Sequence, residues 1–94
     1  MPANNSLSTQ TWILQDPRPG IPVKPGSAKV SSFNFMGYSS QDHHCLLKDG
    51  AGNIIFETYG NVDLSPISLQ FDPIWITGLS LEALDSGWVT VTIL

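Results

Sequence analysis

The sequence has little charge and almost no cysteine. Only 13% of its 94 residues are charged, against about a quarter in an average globular protein. Cys45 is the single cysteine, so no intrachain disulfide can form and the fold must depend on its apolar core. The four cations are Arg18, Lys24, Lys29 and Lys48. Because clustered Lys and Arg supply most of the affinity for phosphate backbones, we expect no nucleic-acid partner.

Long apolar runs are also lacking. No stretch approaches the roughly 20 apolar residues of a membrane-spanning helix, and no basic amphipathic face suggests binding to a membrane surface. Residues 1–10 are polar and do not contain the apolar core of a secretory signal. The hydrophobic fraction of 41% excludes a disordered chain. We therefore expect a soluble, single-domain protein made in the cytosol, with no membrane partner.

Proline is concentrated near the start of the sequence. Five of the seven prolines precede residue 27, and proline fixes φ and removes a backbone donor, so this part forms neither a helix nor an interior strand. We predict an extended arm over residues 1–27, followed by a β domain over residues 28–94. Within the arm, the apolar island around Trp12, Ile13 and Leu14 has two interpretations. It is either a short edge strand of the domain's own sheet or an anchor on another surface.

Beyond residue 27, alternating apolar and polar residues predict short strands. Phe33 and Phe35 share one face of such a strand, whereas Val30 is out of phase with both. A bulge near Ser31 and Ser32 would restore the register. We therefore predict one long strand with a bulge in it.

A tight hairpin is predicted next. The runs 44–48 and 54–59 flank residues 49–53, which contain two glycines and an asparagine. These residue types adopt the positive φ angles that a short hairpin loop requires. The two runs are therefore predicted to pair with each other as antiparallel strands.

The last third of the sequence continues the strand pattern. Ile67, Leu69 and Phe71 alternate with polar residues, and Pro73 is predicted to end that run before a separate one at residues 74–77. A single helical turn is predicted at residues 82–84. In the final run Val89, Val91 and Ile93 are predicted to face the core, which directs Trp88 outward. Together these elements predict an all-β fold, a small antiparallel β-sandwich or barrel.

Candidate chemistry is sparse. Asp42, His43, His44 and Cys45 are residue types that bind transition metals, but neighbours on a strand point to opposite faces and no further Cys or His completes a tetrahedral site. The same divergence argues against a cysteine–histidine nucleophile. We therefore predict no catalytic, metal-binding or cofactor-binding residues, and a protein that is not an enzyme.

Aromatic residues point instead to a partner. Tryptophan is enriched both in cores and at the energetic centres of interfaces. We predict that partner-binding residues are Trp12, Ile13, Leu14, Trp75 and Trp88.

Four segments resemble the small β-rich structural proteins encoded near the capsid genes of tailed bacteriophages. They are Asp49 to Glu57, Asp63 to Pro66, the strand from Pro73 to Leu79, and the turn from Asp85 to Gly87. The resemblance covers roughly residues 45–94 and concerns turns and strands, not an active site. It implies a capsid decoration or cement protein on the virion surface. Its partners would be the major capsid protein and sister subunits in a trimer or dimer.

Two alternatives remain open. Outward Trp88, Trp75 or Tyr59 also suits a carbohydrate- or receptor-binding module, because aromatic rings stack on sugars. A tail or neck component of the same virion would have the same sequence features.

Overall fold

The protein is a two-sheet antiparallel sandwich, as predicted. The computed structural model describes residues 5–7 and 10–94. Its strands are β1 (Ser6–Leu7), β2 (Thr11–Leu14), β3 (Ser27–Met36), β4 (His44–Lys48), β5 (Ile54–Tyr59), β6 (Ile67–Thr77), β7 (Ser80–Leu84) and β8 (Trp88–Ile93). One sheet has the order β1-β2-β8-β3-β6 and the other the order β5-β4-β7. The described residues contain no helix.

The core lies between the two sheets. Alternate residues of the strands point into it, as expected when one face of each sheet is buried. Phe33 is fully buried, and its ring centroid lies 5.4 Å from that of Phe56 and 5.6 Å from that of Phe71. Other buried side chains are Val30, Phe35, Cys45, Leu47, Leu81, Val89 and Val91. Phe33 and Phe35 share one face of β3, as predicted, and that face is buried; Val89 and Val91 face the core, as predicted, and Ile93 is partly buried against it.

The predicted bulge in β3 is confirmed. Pairing with both β6 and β8 shifts register between Val30 and Ser32. The extra residue lets Val30 and Phe33 both point inward, although they are three positions apart.

The predicted hairpin is also confirmed, because β4 pairs with β5 across residues 49–53. Within the loop, the Asp49 carboxylate accepts N–H bonds from Ala51 and Asn53 at 2.9 Å each. Gly52 has a φ of 88°, which a side chain would disfavour. Hydrogen bonds from Asn53 lower the pKa of Asp49 the most, and hydrogen bonds from Ala51 and Gly52 lower it further.

Two predictions for the last third of the chain are wrong. Residues 82–84 form no helical turn but belong to β7, which pairs with β4. Pro73 does not end a strand either, because β6 runs through it. Ile74 pairs with Val30 and Gln70 with Ser32, so the residues between them form an irregularity. Proline is tolerated at such a place on an edge strand.

The described part of the predicted 1–27 arm contributes a strand to the sandwich. β2 pairs with β8 in the five-stranded sheet, and Trp12 is only 3% exposed. The following residues lie along β7 of the other sheet and the residue before it: the backbone N–H of Arg18 donates to Leu81 C=O (2.9 Å) and that of Val23 to Leu79 C=O (2.8 Å). Of the two interpretations of the apolar island, the strand in the domain's own sheet is confirmed. Residues 1–4, 8 and 9 of the predicted arm lie outside the described residues.

Candidate binding surface

Two rows on the outer face of the five-stranded sheet consist of uncharged residues, seven of them polar and one apolar. In the register of the strands, Thr11, Thr92, Ser32 and Gln70 form one row across the sheet, and Ile13, Thr90, Asn34 and Ser68 form the next. We call these eight residues the neutral face. Ser32 Oγ donates to Thr92 Oγ1 at 2.8 Å, and Ser68 Oγ donates to Asn34 Oδ1 at 2.5 Å. Part of the hydrogen-bonding capacity of the face is thus satisfied within it.

Trp75 lies beside the neutral face, past the irregularity in β6. It pairs with Lys29 of β3 and is 68% exposed. The flanking Ile76 is buried, so alternation along the strand directs Trp75 outward. A tryptophan this exposed leaves most of its apolar ring in water.

The other predicted partner-binding residues separate into three groups. Ile13 is exposed and belongs to the neutral face. Trp88 is half-buried, and a Cβ at Gly37 would collide with its ring, so the indole packs against the backbone there. Trp12 and Leu14 are core residues, so their prediction as partner contacts is wrong. The apolar island alternates as a half-buried strand, and its buried side faces the protein's own core.

The outer face of the three-stranded sheet is different because it is charged. His44 Nε2 lies 2.8 Å from Glu57 Oε2, and the His44 ring stacks on Tyr59 with centroids 4.6 Å apart. Lys48 follows on the same strand face. The two outer faces of the sandwich therefore present different chemistry.

The Asp42 to Cys45 segment places its functional groups apart. The Cys45 thiol is buried, and burial raises its pKa to about 12. His43 Nδ1 lies 2.6 Å from Ser86 Oγ, whereas His44 contacts Glu57. In the part of the chain that the structure describes, no three His, Cys, Asp or Glu residues are arranged to hold a metal ion. A protonated, buried thiol is a poor nucleophile.

The loop between β5 and β6, residues 60–66, was not singled out as a site by sequence patterns. It exposes two apolar side chains, Val62 at 81% and Leu64 at 44%. Leu64 has a φ of 61°, in the left-handed region that bulky residues avoid. No sequence pattern predicts the positive φ of Leu64, because residues 60–66 resemble those of an ordinary turn.

A shallow depression of about 320 Å³ lies next to the segment that crosses between the sheets. It is lined by Asn5, Asp16, Arg18, Ile21, Pro22 and Val23. Arg18 Nε already pairs with Asp16 Oδ2 at 2.8 Å, so its charge is partly neutralised.

No family model, curated protein or solved structure matches this chain. Within the described residues, no helix is long and apolar enough to cross a membrane. A proposal for the function must therefore start from the geometry of the exposed surfaces.

Proposed function

We propose that the protein is a non-enzymatic virion structural protein that binds and stabilises the capsid shell of a tailed bacteriophage. In this proposal the neutral face and Trp75 contact the major capsid protein. The observation that supports it most strongly is the 68% exposure of Trp75 beside a sheet face made of eight uncharged residues.

The chemistry of the neutral face suits an interface. Burying a charge without a partner is far more costly than burying a hydroxyl that keeps a hydrogen bond. Ser32 and Asn34 already have hydroxyl partners on the face, so covering them leaves few polar atoms unsatisfied. The centres of interfaces are depleted in charge and enriched in tryptophan. Trp75 would thus supply much of the binding energy and the neutral face its surroundings.

The size of the neutral face suits repeated, weak contacts. Four strands about 4.8 Å apart, each contributing two outward residues about 6.6 Å apart, give a footprint of roughly 250 Å². A stable interface buries about 800 Å² on each partner. One copy alone would therefore bind weakly, whereas a dimer or trimer on a repeating shell gains affinity from several contacts engaged together. A footprint of this size supports an oligomer bound to the capsid surface.

Replacing Trp75 tests the proposal. We expect Trp75→Ala to weaken binding to empty shells of the phage's own major capsid protein by about tenfold or more, because a hot-spot side chain is lost. Co-sedimentation of the purified protein with shells gives the affinity. Tyr59→Ala is the matched control, since Tyr59 is a comparably exposed aromatic residue (53%) on the charged sheet. Equal binding by wild type and Trp75→Ala would contradict the proposal.

A carbohydrate- or receptor-binding function is the second candidate. The same exposed indole favours it, because a free aromatic face can stack on a sugar ring. Glycan-array binding by wild type that disappears in Trp75→Ala, together with no binding to shells, would replace the capsid proposal.

A further inference from the structure

The loop of residues 60–66 presents two apolar side chains to solvent. Val62 is the most exposed large apolar residue in the described part of the chain, at 81%, and Leu64 is 44% exposed. Neither side chain is therefore held in place by burial in the protein's own core.

The loop is nevertheless firmly built. The Tyr38 ring is buried, and its hydroxyl accepts the Asn61 N–H at 3.0 Å and donates to the Ser65 carbonyl. The Asp63 carboxylate accepts the Ser65 N–H at 3.1 Å. Leu64 N–H donates to Asn61 C=O, also at 3.1 Å. One buried hydroxyl thus fixes both ends of the loop, so little conformational entropy would be lost when it binds a partner.

Leu64 occupies an unfavourable backbone conformation. Its φ of 61° crowds Cβ against the following carbonyl, and only Gly, Asn and Asp adopt this region readily. Asparagine would fit the turn better than leucine. Backbone strain of this kind is typical of functional sites, and 44% of Leu64 remains exposed.

Two acidic residues lie at the loop. Asp63 is at the tip, and Asp42 is next to its base, where the Asp42 N–H donates to Gly60 C=O at 3.0 Å. The sequence contains no Lys or Arg after Lys48. Electrostatic complementarity therefore favours a partner surface with basic groups.

We propose that residues 60–66 form a preformed plug that inserts Val62 and Leu64 into an apolar pocket bordered by Lys or Arg on the partner protein. The inference rests on the proposed function in taking the major capsid protein as that partner. It adds a second contact, at the loop end of the sandwich, to the one made by the neutral face. The Asp63 carboxylate pairs with the basic border of the pocket.

The test measures shell binding and thermal stability for the same variants. Leu64→Asn introduces a residue that tolerates positive φ, so we expect the Tm of this variant to rise by roughly 4 °C. Because the apolar side chain is lost, we expect its affinity for shells to fall about tenfold. Val62→Ser is expected to lower the affinity without changing Tm. Asp63→Asn is expected to bind with a shallower dependence on salt. Ile54→Ser is the matched control, because Ile54 is an exposed apolar residue (57%) on β5, and its binding is expected to stay unchanged.

Each outcome decides the question. If wild type binds shells and both Leu64→Asn and Val62→Ser bind equally well, the plug is wrong while the capsid function stands. A fall in both Tm and affinity for Leu64→Asn would assign Leu64 a structural role and also overturn the plug. If wild type itself does not bind shells, both proposals fail.

Discussion

At the scale of single residues, the three tryptophans occupy three different environments. Trp12 is 3% exposed and Trp75 is 68% exposed, while Trp88 is half-buried against Gly37. Alternation along a strand indicates which residues share a face, but not which of the two faces a second sheet will cover. The covering sheet lies elsewhere in the sequence. For this reason Trp12 and Trp75 were both predicted to contact a partner, although only Trp75 is exposed.

Trp12 and Trp75 should respond very differently to truncation. We expect Trp12→Ala to lower the free energy of unfolding by about 3 kcal/mol or more, because it opens a cavity in the core. Trp75→Ala should change it by only about 0.5 kcal/mol, as is usual at exposed positions. Urea unfolding monitored by circular dichroism measures both values. Similar losses for the two variants would contradict the burial described for Trp12.

At the scale of elements, the features that depend on local sequence were predictable. The hairpin at residues 49–53 follows from Gly and Asn in the loop, and the β3 bulge follows from the phase of Val30 relative to Phe33. The helical turn at residues 82–84 was wrong because that segment is fixed by distant partners. β7 pairs with β4 on one side, and on the other side Leu81 and the preceding Leu79 accept hydrogen bonds from residues 18 and 23. Tertiary contacts of this kind override local propensity.

The Asp49 turn should give the protein a measurable pH dependence. Its hydrogen bonds, the largest from Asn53, lower the pKa of Asp49 below 3.8. A carboxylate whose folded pKa is depressed stabilises the fold above its unfolded pKa, and that stabilisation disappears as pH falls through the folded value. We expect the Tm difference between wild type and Asp49→Asn to shrink as pH is lowered from 6 to about 2. Thermal melts across that range measure it, and a constant difference would show that the ionised carboxylate is not what stabilises the turn.

At the scale of the whole molecule, residues 11–26 join the two sheets. β2 contributes Trp12 and Leu14 to the core, and the residues that follow cover the edge of β7. The neutral face likewise exists only when β2, β8, β3 and β6 are side by side, so it could not be predicted from any one strand. Low charge in the composition was its only sequence signal.

Removing residues 1–26 should therefore unfold the protein and not merely detach an arm. The truncation exposes the edge of β8, uncovers β7 and removes two core side chains, and we expect no cooperative thermal transition. Circular dichroism melts and amide NMR dispersion test this expectation. A truncated chain with a dispersed spectrum and a sharp transition would mean that residues 28–94 fold alone.

The pairing of β2 with β8 also determines how the chain must fold. Thr11 lies opposite Thr92, so this ladder joins residues from nearly opposite ends of the described sequence. The entropy of closing so long a loop must be overcome before any contact in the ladder forms. Topologies with such high contact order fold in milliseconds to seconds, not microseconds. Until that closure occurs, β8 has an open edge, and the neutral face exists only in the fully folded protein.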